Sequence, residues 1–114
     1  MGTATAPQLI EYESDYILRF SDIEVNLDKA TVKRSGQPVN LTTTEFELLN
    51  CLLMNPGKKL SRDTILDAVW SYLPSPNTRT VDAHMLRLRQ KLEKDPNQPE
   101  HFLTIYRVGY CFQP

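Results

Sequence analysis

The chain has 114 residues, 40% hydrophobic and 24% charged, a composition typical of one globular domain with a modest core. No apolar run approaches the ~20 residues of a membrane span, and residues 1–8 lack the basic and apolar regions of a signal peptide, so we expect a cytoplasmic protein with no membrane partner. The formal net charge of −1 combines −5 over residues 1–28 with +4 over the rest, and it does not exclude nucleic acid as a partner, because phosphates respond to charges within roughly 8–10 Å.

The first part of the chain predicts a tail followed by a small sheet. Residues 1–14 show no periodicity, so we expect a linker or tail there and the folded domain over residues 15–114. Alternating apolar and polar residues, interrupted by turn signals such as Ser35–Pro38, then predict an antiparallel meander of three or four strands. The strands are expected at Ile17–Phe20, Ile23–Leu27, Ala30–Arg34 and Val39–Leu41.

Two helices are predicted next. Thr42 and Glu45 have the spacing of a capping box, and the helix that follows them ends at the turn signal of residues 55–57. Ser61 is the expected N-cap of the second helix, which Pro74 stops. Apolar residues recur at helical spacing in both, at Phe46, Leu49, Leu52 and Leu53 in the first and at Ile65, Leu66, Val69 and Trp70 in the second.

A third helix is predicted from about Thr80 to Lys94, and its N-cap is open among three residues, Asn77, Thr78 and Arg79. Its apolar residues form one stripe that must face the core, Val81, Met85, Leu88 and Leu92. The opposite face carries Arg79, Ala83, Arg87, Gln90 and Lys94, flanked by Thr80, His84, Arg89 and Lys91. An apolar stripe backed by a basic face is typical of a helix that enters the major groove, whose width of about 12 Å admits one helix.

The C-terminal segment predicts a β-hairpin, with Phe102–Tyr106 and Tyr110–Phe112 as strands and a turn through residues 107–109. Gly109 is expected to supply the positive φ that such a turn needs. The order of strands, three helices and a hairpin predicts an α+β fold, a winged helix-turn-helix with an N-terminal antiparallel sheet, a three-helix core and a C-terminal β-hairpin wing.

Side-chain chemistry suggests how this architecture would bind DNA. Arg87 points away from the apolar stripe and can donate two hydrogen bonds to guanine O6 and N7, and Ala83 on the same face is expected to meet the bases as well. Arg107 at the hairpin tip is expected to reach the adjacent minor groove or a phosphate. Phosphate contacts are expected from residues around the basic face, Arg79, Thr80, His84 and Lys91.

Other classes of function find less support. Cys51, Cys111, His84 and His101 lack metal-ligand spacing, so we expect reduced cysteines and neither a metal nor another cofactor. The sequence has no phosphate-binding glycine loop and no recognisable nucleophile–base motif, so we expect no enzyme. RNA binding is less supported, because the sequence lacks the aromatic sheet signature of common RNA-binding domains. The alternative that stays open is a winged helix used for protein–protein interaction.

Four segments resemble the OmpR/PhoB family of response-regulator effector domains: Leu41–Leu49, Leu60–Trp70, Arg79–Glu93 and Val108–Phe112. The resemblance covers about Leu18–Phe112 in the family's element order, and it implies a four-stranded N-terminal sheet before the three helices and the wing. It also implies transcription regulation by sequence-specific binding to promoter DNA, as a tandem dimer on direct repeats, with Arg87 reading bases. Contacts with the DNA backbone are implied at Trp70, Arg79, Thr80, His84, Arg89, Thr104 and Tyr110.

The same resemblance implies protein partners. RNA polymerase is expected to contact the loop before the third helix, through Ser71, Tyr72, Leu73, Ser75 and Asn77. Family members carry an N-terminal receiver domain that a sensor kinase phosphorylates in a two-component phosphorelay. Nothing in these 114 residues could be that receiver, so we expect either an excised effector domain or a naturally short relative.

Two positions depart from the family's pattern. Leu86 stands where many members carry a further basic residue, and Tyr106–Arg107 stands where many carry an Arg-Gly pair. The wing arginine is therefore displaced by one residue, which reverses its face in a strand unless the turn compensates.

Overall fold

The computed structural model describes residues 10–114, so residues 1–9 of the expected tail lie outside it. The chain divides after Leu41 into two compact units, one formed by the first sheet and the other by Thr42–Gln113. The predicted architecture is confirmed: an N-terminal antiparallel sheet is followed by three helices and a C-terminal hairpin.

The first unit is a five-stranded antiparallel meander in which each strand pairs with the next along the chain. Its strands are β1 (Glu11–Tyr12), β2 (Ile17–Phe20), β3 (Ile23–Asn26), β4 (Thr31–Arg34) and β5 (Gln37–Val39). The cross-strand pairs Leu18–Val25 and Val25–Val32 are fully apolar, and these side chains are buried. Alternation therefore gives the sheet one apolar face, as the sequence predicts.

The edges of this sheet differ from the prediction. Strand β1 lies within the segment expected to be a tail, and its two residues are too few to produce a recognisable alternation. At the other edge, only Ser35 and Gly36 form the turn, both with positive φ (51° and 80°), while Pro38 belongs to β5. Proline is tolerated there because β5 is an edge strand and needs no hydrogen bond on its outer side.

The second unit combines three helices with a three-stranded antiparallel sheet. The helices are α1 (Thr43–Leu53), α2 (Arg62–Trp70) and α3 (Thr78–Leu92). The strands are β6 (Lys59–Ser61), β7 (Phe102–Ile105) and β8 (Gly109–Phe112), with β8 in the middle. The C-terminal hairpin β7–β8 is the predicted wing, and β6 extends its sheet toward the start of α2.

Both predicted helix starts are confirmed. The Thr42 hydroxyl accepts from the N–H of Glu45 at 3.1 Å, and the Glu45 carboxylate accepts from the N–H of Thr42 at 2.9 Å, which completes the capping box. Ser61 caps α2 by accepting from the N–H of Thr64. The predicted apolar face of α1 was wrong in one position. Phe46, which was expected in the core, is only half-buried, and Leu48, which was not included, is buried.

Strand β6 was missed by the sequence analysis, and it explains Gly109. A Cβ on Gly109 would lie 2.1 Å from the carbonyl oxygen of Leu60, so β6 can approach β8 only where a side chain is absent. Gly109 has the expected positive φ, at 154°, but the left-handed residue within the turn itself is Arg107, with φ of 64°. Gly109 is instead the first residue of β8, paired with Ser61 on one side and Ile105 on the other.

Candidate nucleic-acid interface

Helix α3 has the two faces that the sequence predicts. All four residues of the apolar stripe are buried, at 1% exposure or less: Val81, Met85, Leu88 and Leu92. The opposite face is exposed and presents Arg79, Ala83, Leu86, Arg87 and Gln90. Asn77 is the N-cap, its side chain accepting from the N–H of Arg79 at 2.8 Å, and the helix begins and ends about two residues earlier than predicted.

The two arginines on the exposed face of α3 are not engaged in ion pairs within the described residues. Within the described residues, neither Arg79 nor Arg87 forms an ion pair, whereas Arg62 and Arg89, which flank the wing, are both bound to other protein groups. A buried stripe fixes the helix, and two unpaired guanidinium groups project from the other side. This face can therefore bind a polyanion without first breaking a salt bridge.

Asp82 holds α3 against both of its neighbours. Its carboxylate accepts two hydrogen bonds from Arg62 at the start of α2, at 3.1 and 2.5 Å, and one at 2.7 Å from the hydroxyl of Tyr110 in β8. Burial first, then the hydrogen bond and the negative charge of Asp82, raise the pKa of Tyr110 to about 12, against the opposing charges of Arg89 and Arg62. The hydroxyl proton that was expected to serve a phosphate is thus donated to Asp82.

Arg89 makes a second connection between α3 and the wing. Its Nε donates to the carbonyl of Phe102 at 2.8 Å, its Nη2 donates to the hydroxyl oxygen of Thr104 at 2.7 Å, and its guanidinium carbon lies 5.6 Å from the centre of the Tyr110 ring. Because Thr104 accepts from Arg89, its own hydroxyl hydrogen remains available to an acceptor outside the protein. Arg89 thereby orients the predicted phosphate contact at Thr104, which is exposed.

His84 and Trp70 meet on the other side of α3. The His84 ring is edge-on to the Trp70 ring, with 5.0 Å between centroids, and its Nδ1 lies 2.9 Å from the carbonyl oxygen of Thr80. Nδ1 must donate to a carbonyl, so any outward contact of the ring falls to Nε2. Trp70 is 2% exposed. Its indole N–H has no hydrogen-bond partner among residues 10–114, and no fully buried side-chain nitrogen there lacks one, so this N–H keeps some exposure to solvent.

Lys91, expected at a phosphate, has a partner inside the fold. Its Nζ lies 2.6 Å from Oε1 of Glu45, a side chain that is 2% exposed. Burial raises the pKa of Glu45, but hydrogen bonds from Lys91 and from the N–H of Thr42, with the nearby charges of Lys91 and His84, outweigh it and lower the pKa overall. Lys91 therefore neutralises a buried carboxylate at the start of α1.

The wing tip places Arg107 outside the strands. Residues 106–108 form the turn, closed by a 2.9 Å hydrogen bond from the N–H of Val108 to the carbonyl of Ile105. Arg107 is exposed, and its guanidinium carbon lies 5.2 Å from the centre of the Tyr106 ring. The turn, and not the alternation of a strand, decides where this arginine points, so its displacement by one residue does not reverse it onto the inner face.

A polar cleft of about 410 Å³ lies where the wing meets the starts of α2 and α3. Its lining includes the Arg62–Asp82 pair and, from the wing, Thr104, Arg107 and Tyr110. The cleft brings together the wing residues and the linking residues of α3, although Arg79, Ala83 and Arg87 do not line it. The candidate interface is therefore an exposed helix face with an adjoining cleft under the wing.

Glu93 was not singled out by the sequence analysis, although it fixes the segment between α3 and the wing. The side chain is 2% exposed, and its carboxylate accepts from three backbone N–H groups, those of Glu100, His101 and Phe102, at 2.8–3.0 Å. Its only sequence signal is a glutamate at the end of a predicted helix, which is indistinguishable from a solvated one. The pairing requires a loop whose course the sequence does not specify.

The loop before α3 is exposed and carries two large apolar side chains. Tyr72 is 69% exposed and Leu73 is 38% exposed, and Ser71 and Ser75 are exposed beside them. Asn77, which was assigned to the same surface, uses its side-chain oxygen to cap α3. The loop thus exposes two neighbouring apolar side chains, Tyr72 and Leu73.

No group of three or more histidine, cysteine, aspartate and glutamate side chains in the described part of the chain could hold a metal ion. Cys51 is half-buried and Cys111 is buried, both as free thiols, and burial raises the pKa of the Cys51 thiol. Over residues 10–114, no helix has both the length and the apolar character of a membrane span.

Comparisons with known proteins agree with this geometry. The profile of a family described as "Transcriptional regulatory protein, C terminal" matches residues 36–112, more than half of the chain. The DNA-binding response regulator MtrA of Mycolicibacterium smegmatis is 40% identical over 104 residues, which are 91% of this chain and 46% of that protein. The chain thus spans less than half the length of this curated relative.

Two solved structures show the same fold. The response regulator DrrB of Thermotoga maritima, an OmpR/PhoB homologue, has a TM-score of 0.80 and 34% identity over 90% of this chain and 46% of its own. The DNA-binding domain of RstA from Klebsiella pneumoniae, solved in complex with the RstA box, has a TM-score of 0.71 and 26% identity over 84% of this chain and 95% of its own. The second of these matches along nearly its whole length.

Proposed function

Because the chain belongs to the family of OmpR/PhoB-type transcriptional regulatory proteins and matches their C-terminal domain, we propose that it binds double-stranded DNA in a sequence-specific manner as the effector part of a bacterial two-component regulator. In this function α3 enters the major groove and the wing lies at the adjacent minor groove. The function is binding, and we propose no catalytic activity for the chain.

The observation that carries this proposal is the division of α3 into a buried stripe and an exposed face whose two arginines, Arg79 and Arg87, form no ion pair with any residue from 10 to 114. Asp82 and Arg89 bind the flanks of the helix to α2 and to the wing, so the exposed face is presented in a fixed orientation. A rigid helix with free guanidinium groups suits bidentate contact with guanine and ion pairing with phosphate.

We assign the base contacts to Arg87 and Ala83 and the leading backbone contact to Arg79. Thr80, His84 and Trp70 can add contacts on one side of α3, through a hydroxyl, the Nε2 atom and the indole N–H. Thr104 can add one on the wing side, because Arg89 leaves its hydroxyl hydrogen free. Arg107 at the exposed wing tip is the candidate for the minor groove.

The protein partners follow from the family and from the exposed loop. We propose that RNA polymerase contacts the loop through Tyr72 and Leu73, whose exposed apolar surface is otherwise unexplained. The MtrA relative is named a DNA-binding response regulator and is longer than this chain, which supports a receiver domain and a sensor kinase as further partners. Tandem binding to direct repeats of promoter DNA, in the cytoplasm, completes the proposal.

Selection from a random duplex library with the 114-residue chain tests the function. We expect enrichment of one motif, or of two copies in direct repeat if the chain binds in tandem. A double variant, Arg79→Ala with Arg87→Ala, should lose the enrichment, whereas Arg19→Ala, an arginine of the first sheet that is ion-paired with Glu24, should retain it. If no motif is enriched, the proposed function is wrong, and tolerance of the double variant would favour a protein-binding winged helix.

A further inference from the structure

Leu86 is a large apolar side chain on the exposed face of α3, which does not face the core. It is 52% exposed, whereas Val81, Met85, Leu88 and Leu92 of the same helix are exposed by 1% or less. The core face of the helix is complete without it, so Leu86 contributes nothing that packing requires. Its position instead places it within the face that carries Arg79 and Arg87.

The neighbours of Leu86 give its place on that face. Ala83 and Gln90 stand three residues before and four residues after it, and both are exposed beside it. Asp82 and Arg89, four residues before and three residues after, point to the wing side, where they bind Tyr110 and Thr104. Leu86 therefore lies on the wing side of the exposed face, and Arg87 lies across Ala83 and Gln90 from it.

An apolar side chain in the major groove has one apolar group to contact, the C5-methyl group of thymine. Guanine, cytosine and adenine present only hydrogen-bonding groups at their edges there, whereas thymine presents a C5-methyl group. Leucine has no donor or acceptor, so it cannot bind the polar edges, and burying them against it would leave them unsatisfied. A leucine on a face that meets the groove is thus selective for the methyl group.

We propose that Leu86, with Ala83 beside it, contacts the C5-methyl group of a thymine and thereby determines specificity at a second base pair. The inference rests on the proposed DNA-binding function and adds a base to what Arg87 reads. Consecutive residues of a helix are 1.5 Å apart along its axis, and base pairs are about 3.4 Å apart. The thymine therefore lies within about two base pairs of the guanine that Arg87 binds.

The charges around Leu86 favour DNA over an apolar protein surface. Arg79 and Arg87 are exposed on the same face and lack ion-pair partners among the described residues. A protein that covered Leu86 with apolar side chains would also have to bury or neutralise both guanidinium groups. DNA supplies the anionic backbone for these charges and the methyl group for the leucine in one ligand.

The test replaces thymines of the selected duplex by deoxyuridine, one at a time, which removes only the methyl group. Affinities are measured by fluorescence anisotropy at fixed salt for the parent chain and for Leu86→Ala. For the parent we expect one substitution, within about two base pairs of the Arg87-dependent guanine, to weaken binding roughly fourfold, the contribution of one buried methyl group. Leu86→Ala should bind the thymine duplex and the corresponding deoxyuridine duplex with equal affinity.

A matched control is Met54→Ala, because Met54 is 51% exposed and lies at the end of α1, outside the candidate interface. This variant should discriminate the two duplexes as the parent does. A gain-of-charge variant, Leu86→Arg, should bind all duplexes more tightly and lose the discrimination. Thermal unfolding of Leu86→Ala should match that of the parent, since half of the side chain is already in water.

Different outcomes separate the inference from the function on which it rests. If a motif is enriched and depends on Arg87, but no deoxyuridine weakens binding, Leu86 reads no methyl group. If the effect persists in Leu86→Ala and disappears in Ala83→Gly, the contact belongs to Ala83 and the inference about Leu86 is wrong. If Leu86→Ala changes only the cooperativity of two chains on a direct repeat, Leu86 touches a second copy and the inference is also wrong.

Discussion

Tyr110 donates a 2.7 Å hydrogen bond to Oδ1 of Asp82, the carboxylate that also receives the guanidinium of Arg62. One side chain of α3 thus meets both the preceding helix and β8, the central strand of the second sheet. The resemblance to OmpR/PhoB domains assigns Tyr110 to the DNA backbone, whereas the hydrogen bond gives it a role in holding the wing against α3. These two roles predict different results for the same variants.

Tyr110→Phe separates the roles. Loss of the hydroxyl should lower the free energy of unfolding by about 1 kcal/mol at pH 7. Because the pKa of Tyr110 is raised to about 12 in the fold, its contribution is fully present below the unfolded value near 10 and is lost as pH rises toward 12. Urea unfolding at pH 8, 10 and 11.5 should therefore show the gap between parent and variant closing at high pH. If Tyr110→Phe loses much more DNA-binding free energy than unfolding free energy, the assignment of Tyr110 to the DNA backbone is supported.

Arg87→Ala should relax the preference at one base pair. Removal of a bidentate contact to guanine costs about 1–3 kcal/mol on the specific duplex and nothing on random duplexes. Anisotropy titrations with the selected duplex and its single-base variants would measure this. The assignment of Arg87 to the bases is wrong if the variant distinguishes specific from random DNA as well as the parent does.

Arg79→Ala should weaken binding to every duplex by a similar factor. Arg79 lies at the exposed start of α3 without an ion pair among the described residues, so its partner is expected to be a phosphate. Loss of one phosphate contact lowers the slope of log affinity against log salt by about 1. Titrations at several salt concentrations would show it, and an unchanged slope would mean that Arg79 stays in water.

Lys91→Met should destabilise the fold most at neutral pH, and its gap in unfolding free energy from the parent should narrow as pH falls. Glu45 has a lowered pKa, so its contribution to stability is present above its unfolded value, near 4.5, and is lost as pH falls through the lower folded value. Without Lys91 the buried carboxylate loses its nearest cation and retains the hydrogen bond from the Thr42 N–H, and we expect a loss of about 1–3 kcal/mol at pH 7.

The control is Lys94→Met, which removes the same charge at an exposed position just after α3. Urea unfolding at pH 7, 5 and 4 should leave this variant close to the parent. Superimposable acid profiles for the two variants would show that the Glu45–Lys91 pair does not stabilise the fold.

Gly109→Ala should be far more damaging than Gly36→Ala. Both glycines have positive φ, but the added Cβ meets the Leu60 carbonyl at 2.1 Å in the first case and nothing within 4 Å in the second. We expect a loss of roughly 3 kcal/mol or more at Gly109, against about 1 kcal/mol of left-handed strain at Gly36. Similar melting temperatures for the two variants would mean that β6 can move away from β8.

Local spacing was enough to predict most of the elements. The capping box at Thr42 and Glu45 and the four-residue stripe of α3 involve residues close in sequence, and the structure has both. Contacts between distant residues gave no such signal. Strand β6 pairs with a strand some fifty residues away, and its three residues show no alternation. In the sequence, Asp82 and Glu93 cannot be distinguished from solvent-exposed charges on a helix. Only folding brings Tyr110 to Asp82 and the loop amides to Glu93.

Gly109 illustrates a position that the sequence identified for only part of its structural reason. The sequence predicted a positive φ at Gly109, and the structure has one, but the left-handed residue of the turn is Arg107 and the main constraint on Gly109 is the close approach of another strand. Sequence spacing can mark a position as special without saying which neighbour makes it so.

The three amides held by Glu93 have a consequence for the rate at which the chain finds and leaves its ligand. The carboxylate fixes the approach to β7 at the end of α3, so we expect the base of the wing to move little and little conformational entropy to be lost when the proposed DNA ligand binds. A preassembled surface needs no slow rearrangement after encounter, and electrostatic attraction can then govern arrival. Differences in affinity among DNA sequences should therefore reside in the dissociation rate, which stopped-flow measurements on related duplexes would resolve.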